Sequence, residues 1–224
     1  MIRLSVDLEP LYRLYNIDGT QAHKPLLKHA LALEAAGVDG VVFGVEGAYD
    51  SGRRRVMTAL SENLDINLSV RTSIEEQWID ALLEIKPSLA IFAFDGNYED
   101  SYKDVITRLQ VENILVAFEI KPQIELVKKA ARLKGDFLVF DSDLYVDAKS
   151  LGERIEQLNL ISKAAALGSR LSMGSVAAGD FDKQRLVKLA ETKTVEEIFS
   201  GLPLITDSLL SGYAEAVKSL RSYL

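Results

Sequence analysis

The chain has 224 residues, 48% of them hydrophobic and 26% charged, enough apolar material for one sizeable core and too little length for a second full domain. It contains no cysteine, which excludes a disulfide framework, a thiolate nucleophile and a thiolate-ligated metal. A formal net charge of −7 argues against non-specific nucleic-acid binding, which depends on Lys and Arg neutralising phosphates.

Taken in chain order, short β-branched or aromatic runs alternate with stretches of helical periodicity, as expected when parallel strands lie beneath crossover helices. The first predicted strand, Ile2 to Asp7, opens the chain without an apolar leader. No run of about 18 apolar residues follows, so the protein is expected to be cytoplasmic, with no membrane partner. A predicted helix at 24–36 leads to a strand at Gly40 to Val45, and one at 53–63 to a strand at Asp65 to Val70. Helices at 73–85 and 101–110 flank a strand at Leu89 to Phe94. Asn113 to Phe118, a helix at 123–134 and Phe137 to Phe140 continue the alternation. A long helix at 149–166 precedes a strand at Arg170 to Met173. The series closes with a helix at 182–191, a weak strand at Glu196 to Ser200 and a helix at 204–223. Ser73 and Glu76 have capping-box spacing, and Gly37, Gly135 and Gly168 stand where C-terminal caps are expected. Eight βα units predict a single-domain (β/α)8 TIM barrel over residues 1–224, because closure leaves a parallel sheet no free edge. An open Rossmann-like sheet is the alternative, but neither a Gly-x-Gly-x-x-Gly nor a Gly-x-x-x-x-Gly-Lys-Ser/Thr motif is present to support it.

In such a barrel ligands bind over the carboxyl ends of the strands, and the residues following each predicted strand are mostly acidic. Asp7, Glu9, Glu46, Asp95, Glu119, Asp141 and Asp143 hold these positions, with Ser69, Arg71, Ser172 and Ser175 completing the rim. Converging carboxylates bind a hard cation or serve as general acid and base; equally, they cap the helices that begin on this face. Asp7, Glu9, Glu46 and Asp141 are the candidate carboxylate site, with metal dependence left open. The one basic run, Arg53 to Arg55, reads either as a phosphate clamp or as a solvated helix face. His23 and His29 fall before and within the first predicted helix, away from the strand ends, which points to surface or packing roles. No Ser-His-Asp arrangement, His-Glu-x-x-His motif or Gly-x-Ser-x-Gly elbow is available, so nucleophilic hydrolysis is not expected.

Several short segments, in a common order along nearly the whole chain, resemble the pyridoxine phosphate synthase family. They are Leu4-Ser5-Val6-Asp7-Leu8-Glu9, Asn16-Ile17-Asp18-Gly19-Thr20, Ala36-Gly37-Val38-Asp39-Gly40, Lys86-Pro87 and Tyr145-Val146-Asp147-Ala148-Lys149. Leu167-Gly168, Gly174, Gly201 and Gly212 keep the family's spacing to the C-terminus. The resemblance implies a barrel that condenses two phosphorylated substrates into the vitamin ring, and a homo-oligomer. With Ser69, Ser172 and Ser175 from the rim, the resemblance adds Asn16, Gly19, Thr20 and Gly201 as candidate ligand contacts, and no cofactor is expected.

The catalytic positions depart from that pattern. The family's strand-two histidine falls on Gly44 and the arginine two residues later on Glu46; the strand-three glutamate falls on Ser69. Its later histidines fall on Ser175 and Leu202, its Asp-His pair on Glu9-Pro10 and its loop arginine on Asp18. A long lid is reduced to Asp95-Gly96-Asn97-Tyr98-Glu99-Asp100, and Gly201 alone remains of the phosphate cradle. The expectation is a diverged member without synthase activity that binds another small molecule or a protein partner. The alternatives are a new carboxylate enzyme, metal-assisted or not, and a retained synthase.

Overall fold

The computed structural model describes residues 1–15, 23–45, 49–97 and 100–224. Strand β1 (Arg3–Asp7) is followed by helices α1 (Glu9–Tyr15) and α2 (His23–Ala35), then β2 (Gly40–Val45) and α3 (Ser51–Asn63). β3 (Asn67–Thr72), α4 (Glu76–Ile85), β4 (Leu89–Ala93) and α5 (Asp100–Val111) continue the alternation. Next come β5 (Leu115–Ile120), α6 (Ile124–Arg132), β6 (Phe137–Asp141), the short α7 (Asp143–Asp147) and α8 (Leu151–Arg170). The chain ends with β7 (Gly174–Ala178), α9 (Lys183–Glu191), β8 (Glu197–Ser200), α10 (Leu202–Ser211) and α11 (Tyr213–Arg221). The strands pair in sequence order, all parallel, and β1 closes on β8 through Arg3↔Glu197 to Val6↔Ser200. This is a single-domain (β/α)8 TIM barrel.

The strands are apolar on both faces because both are buried. Val42, Leu89, Ile91, Ala117, Val139, Val176 and Phe199 fill the inside of the barrel, while a larger cluster lies between the sheet and the helices. Trp78 on α4 and Phe43, Phe92, Phe118 and Phe140 on the strands are fully buried in that outer layer. His29 ties three helices together. Its Nε2 and Nδ1 each lie 2.6 Å from a tyrosine hydroxyl, Tyr15 on α1 and Tyr213 on α11, and burial lowers its pKa.

Several boundaries differ from the sequence pattern for identifiable reasons. β3 starts at Asn67 because the Asp65 and Ile66 amides donate to the Glu34 carboxylate and not to a neighbouring strand. β5 starts at Leu115 because Glu112, Asn113 and Ile114 return their amides to the end of α5, with Asn113 left-handed at φ 61°. The seventh strand is displaced furthest. Residues expected to form it instead finish α8: Leu171 and Met173 donate to carbonyls of Leu167 and Gly168, and Ser172 is left-handed at φ 63°. Gly168 is therefore no cap but an interior residue of α8, where a Cβ would sit 2.7 Å from Leu138 Cδ1.

Helix ends show the same correction. The capping box belongs to Ser150 and Glu153 at the start of α8, whereas α4 begins at Glu76 with no side-chain cap. Gly212, at φ 76°, divides the expected last helix into α10 and α11. The left-handed turn beside Gly135 is made by Lys134. α1 and α7, both short, escaped the periodicity altogether.

Gly40 opens β2 where the barrel wall is tightest. A Cβ there would lie 2.6 Å from Ser5 Oγ and 2.8 Å from the backbone oxygen of Asn67, which cannot move without breaking the sheet. Gly40→Ala is expected to destabilise the fold by roughly 1–3 kcal/mol, read as a lowered urea midpoint with an unchanged slope. A variant as stable as the parent would show that this part of the wall yields.

Candidate active site at the barrel mouth

A cavity of about 1210 Å³ lies over the carboxyl ends of the strands. Period-two alternation decides which side chains enter it: Asp7 follows Ser5 on the inner face of β1, Glu119 follows Ala117 on β5, and Asp141 follows Val139 on β6. Arg71, on the inner face of β3, reaches across this space. Its Nη1 lies 3.1 Å from Asp7 Oδ2 and its Nε 2.9 Å from Glu119 Oε2, with the arginine side chain only 15% exposed. One cation thus links three strands of the wall.

Burial alone would weaken Arg71 as a base, but attraction to Glu119 and Asp7, with a hydrogen bond to each, raises its pKa. Glu119 also titrates higher than an ordinary glutamate. Burial raises it most, Asp141 and Asp7 add like-charge repulsion, and Arg71 offsets only part of this. Asp143, at the start of α7, is raised by burial and by Asp141, Asp147 and Asp180.

The carboxylates of the mouth serve as caps as well as cavity walls. Asp7 Oδ1 accepts from the Glu9 amide at 2.9 Å, Asp141 Oδ1 from Asp143 at 3.0 Å, and Asp95 Oδ1 from Asn97 at 2.9 Å. Asp180 Oδ1 accepts from the Leu202 amide at 3.1 Å, at the start of α10. These acids thus hold backbone amides and line the cavity at once.

Of the four candidate carboxylates, the structure brings Asp7, Glu9 and Asp141 to the cavity; Glu46 lies outside the described residues. Glu9 is already engaged. Arg53 meets it with two nitrogens, Nη1 to Oε2 at 2.9 Å and Nη2 to Oε1 at 3.0 Å, and Arg13 adds a contact at 3.2 Å. Arg53 also stacks over Tyr12, with its guanidinium carbon 4.3 Å from the ring centroid, and donates to the Gly44 carbonyl. Arg54 pairs with Glu84 and Tyr49, and Arg55 Nε donates to the Ser51 carbonyl. Of the basic run, Arg53 is drawn inside to Glu9, while Arg54 and Arg55 stay toward the helix surface.

Among the candidate ligand contacts, Asn16, Gly19 and Thr20 fall outside the described residues. Gly201 reaches the cavity beside β1, where its Cβ would lie 3.3 Å from Asp7 Cβ. Ser69 does not line the cavity: it is buried in mid-strand, level with Val42 and Leu89 and one inward position below Arg71. Ser172 and Ser175 are corrected outright. With β7 running from Gly174 to Ala178, they lie at its amino end, opposite the mouth. The same displacement hid Asp180, which follows the true strand. Arg71 was recognised only as a rim residue, and its two partners, 64 and 48 positions away in sequence, left no local signal. Among the described residues no three His, Asp or Glu side chains form a group able to hold a metal ion, and no helix is long and apolar enough to cross a membrane.

A family model described as pyridoxal phosphate biosynthesis protein PdxJ matches residues 4–224. Pyridoxine 5'-phosphate synthase of Geobacter sp. (strain M21) is 23% identical over 233 residues, covering 98% of this chain and 97% of that protein. The enzyme of Citrifermentans bemidjiense gives the same identity and coverage, and that of Geobacter sulfurreducens is 21% identical. Among solved structures, the chain resembles a native KDPGal structure with TM-score 0.64 at 14% identity, covering 98% of this chain and 96% of the other. A cube-shaped, highly porous protein cage designed by fusing symmetric oligomeric domains gives TM-score 0.66 at 14% identity, covering 99% and 74%. At that identity these structures show the fold alone.

A carboxylate whose pKa is higher in the folded than in the unfolded protein contributes stability that is complete below its unfolded pKa. That contribution is lost as pH rises through the folded value. Glu119 is such a group, so Glu119→Gln, which imitates the protonated side chain, is expected to be about as stable as the parent near pH ~4 and to become the more stable of the two toward pH ~7. Urea midpoints at the two pH values measure it; a variant that loses ground to the parent as pH rises would mean that the pairing with Arg71 outweighs burial.

Proposed function

The chain belongs to the PdxJ family of pyridoxal phosphate biosynthesis proteins, and from that premise we propose that it has lost the synthase reaction and binds a small, unphosphorylated, neutral or cationic ligand in the barrel mouth. One observation carries this reading: among the described residues, two anion-holding features of the mouth already hold the protein's own carboxylates. Arg71 is paired with Asp7 and Glu119, and the Leu202 amide at the start of α10 is taken by Asp180. A phosphate approaching either would have to displace a fixed negative charge.

The charge of the whole lining supports the same conclusion. Asp7, Glu9, Asp95, Glu119, Asp141, Asp143 and Asp180 face the cavity against Arg13, Arg71 and Lys121. Two phosphorylated substrates brought together there would meet net repulsion. The residues that replace the resembled catalytic set support it too. Gly44 has no side chain and its carbonyl is engaged by Arg53, Ser69 is buried below the cavity, and Ser175 is at the opposite end of its strand. None of the three is placed to carry a proton at the mouth.

A second reading rests on Glu119. A carboxyl group in a cavity wall that holds its proton more firmly than usual suits general acid–base work. In that case the mouth is a new carboxylate site acting on the same class of ligand.

Expression in a pyridoxine-requiring strain is expected to give no rescue. A thermal-shift panel is expected to show stabilisation by neutral or cationic metabolites and none by their phosphate esters. Release of the pyridine product by the purified protein would overturn the proposal.

A further inference from the structure

The way Arg71 is held has a chemical consequence of its own. A guanidinium offers an oxyanion two edges, Nε with Nη2 and Nη1 with Nη2, and holds it best when both nitrogens of one edge engage two oxygens. Glu119 takes Nε at 2.9 Å and Asp7 takes Nη1 at 3.1 Å, so one nitrogen of each edge is occupied. No oxyanion can use either edge fully while both carboxylates remain. Nη2, common to the two edges, has no hydrogen-bond partner among the described residues.

The remainder of the site is open to such a ligand. Arg71 lines the cavity, as do Gly201 and the neighbouring Gly179, and neither glycine puts a side chain between the guanidinium and the mouth. The carboxylates of Asp7 and Glu119 are about as well buried as the arginine, at 20% and 21% exposure, so their charges are weakly screened. The two acids thus stand where the oxygens of an anionic ligand would stand.

We propose that Asp7 and Glu119 are the specificity-determining residues of the mouth: they mask Arg71, and removing their charges uncovers a binding site for a small tetrahedral oxyanion. The inference rests on the mouth being the ligand site and says which side chains set its preference. It assigns to these residues the exclusion of phosphorylated compounds, and to Arg71 a latent capacity that the fold retains.

Inorganic phosphate is the probe, with binding followed by calorimetry at neutral pH. The parent protein is expected to bind it negligibly. Asp7→Asn combined with Glu119→Gln is expected to bind it at least ~10-fold more tightly, and addition of Arg71→Met to that pair is expected to abolish the gain. A folded double variant with parental affinity, or a gain that survives loss of Arg71, overturns the inference. Should the double variant fail to fold, Glu119→Ala alone leaves Arg71 one partner and frees the Nε–Nη2 edge; absence of any gain there is equally decisive. Failure of the wider reading looks different: it appears as tight phosphate binding by the parent itself.

Discussion

A parallel sheet exposes unpaired backbone at both edges unless its first and last strands meet, and here they meet through four residue pairs, Arg3↔Glu197 to Val6↔Ser200. Everything at the mouth follows from that closure. It forces alternate residues of every strand inward, stacks Val42, Ile91, Val139 and Phe199 into a dry plug, and leaves the last inward residue of several strands facing solvent at one end. The residues one inward position below Asp7, Arg71 and Glu119 are Ser5, Ser69 and Ala117, none of which carries a charge. Arg71, Asp7 and Glu119 therefore balance one another, with the Glu9 amide held by Asp7.

That constraint explains why one guanidinium is shared by two carboxylates. A lone arginine so nearly buried would be severely penalised, and two carboxylates without it would repel. Together they form a bridge from β3 to β1 and to β5 whose net charge is still negative, and Asp141 makes it more so. The raised proton affinity of Glu119 follows first from its burial and then from this excess. In the reading proposed above, the same three side chains also set the ligand preference.

How far this was legible in the sequence depends on whether a feature is local. The bounds of β2 agree with the pattern because Gly-Val-Val-Phe-Gly-Val is apolar on both faces and ends abruptly. β7 was misplaced because Arg-Leu-Ser-Met is a plausible strand by composition. The true strand, Gly-Ser-Val-Ala-Ala, is made of small residues that leave room for Phe137, whose ring would come within 2.2 Å of a Cβ on Gly174. The acids of the mouth were legible because they end strands. Their partners were not: Arg53 finds Glu9 across 44 positions, and Arg71 finds Asp7 across 64, distances that only the closed barrel brings together.

The double duty of the acids bears on how such a site diverges. Asp7 and Asp141 each hold a backbone amide at the start of the helix that follows, and Asp180 holds that of Leu202 at the start of α10, so they contribute to local stability whether or not a ligand is present. Where such a cap occupies a backbone amide, a phosphate could use that amide only by displacing the cap. Arg71 sharpens this constraint. Freed of its carboxylates it would attract anions, but a replacement of Asp7 by anything that lacks the Oδ1 acceptor also releases the amide at the start of α1. The acids of the mouth are thereby retained by the interactions that begin its helices, independently of any selection on a ligand.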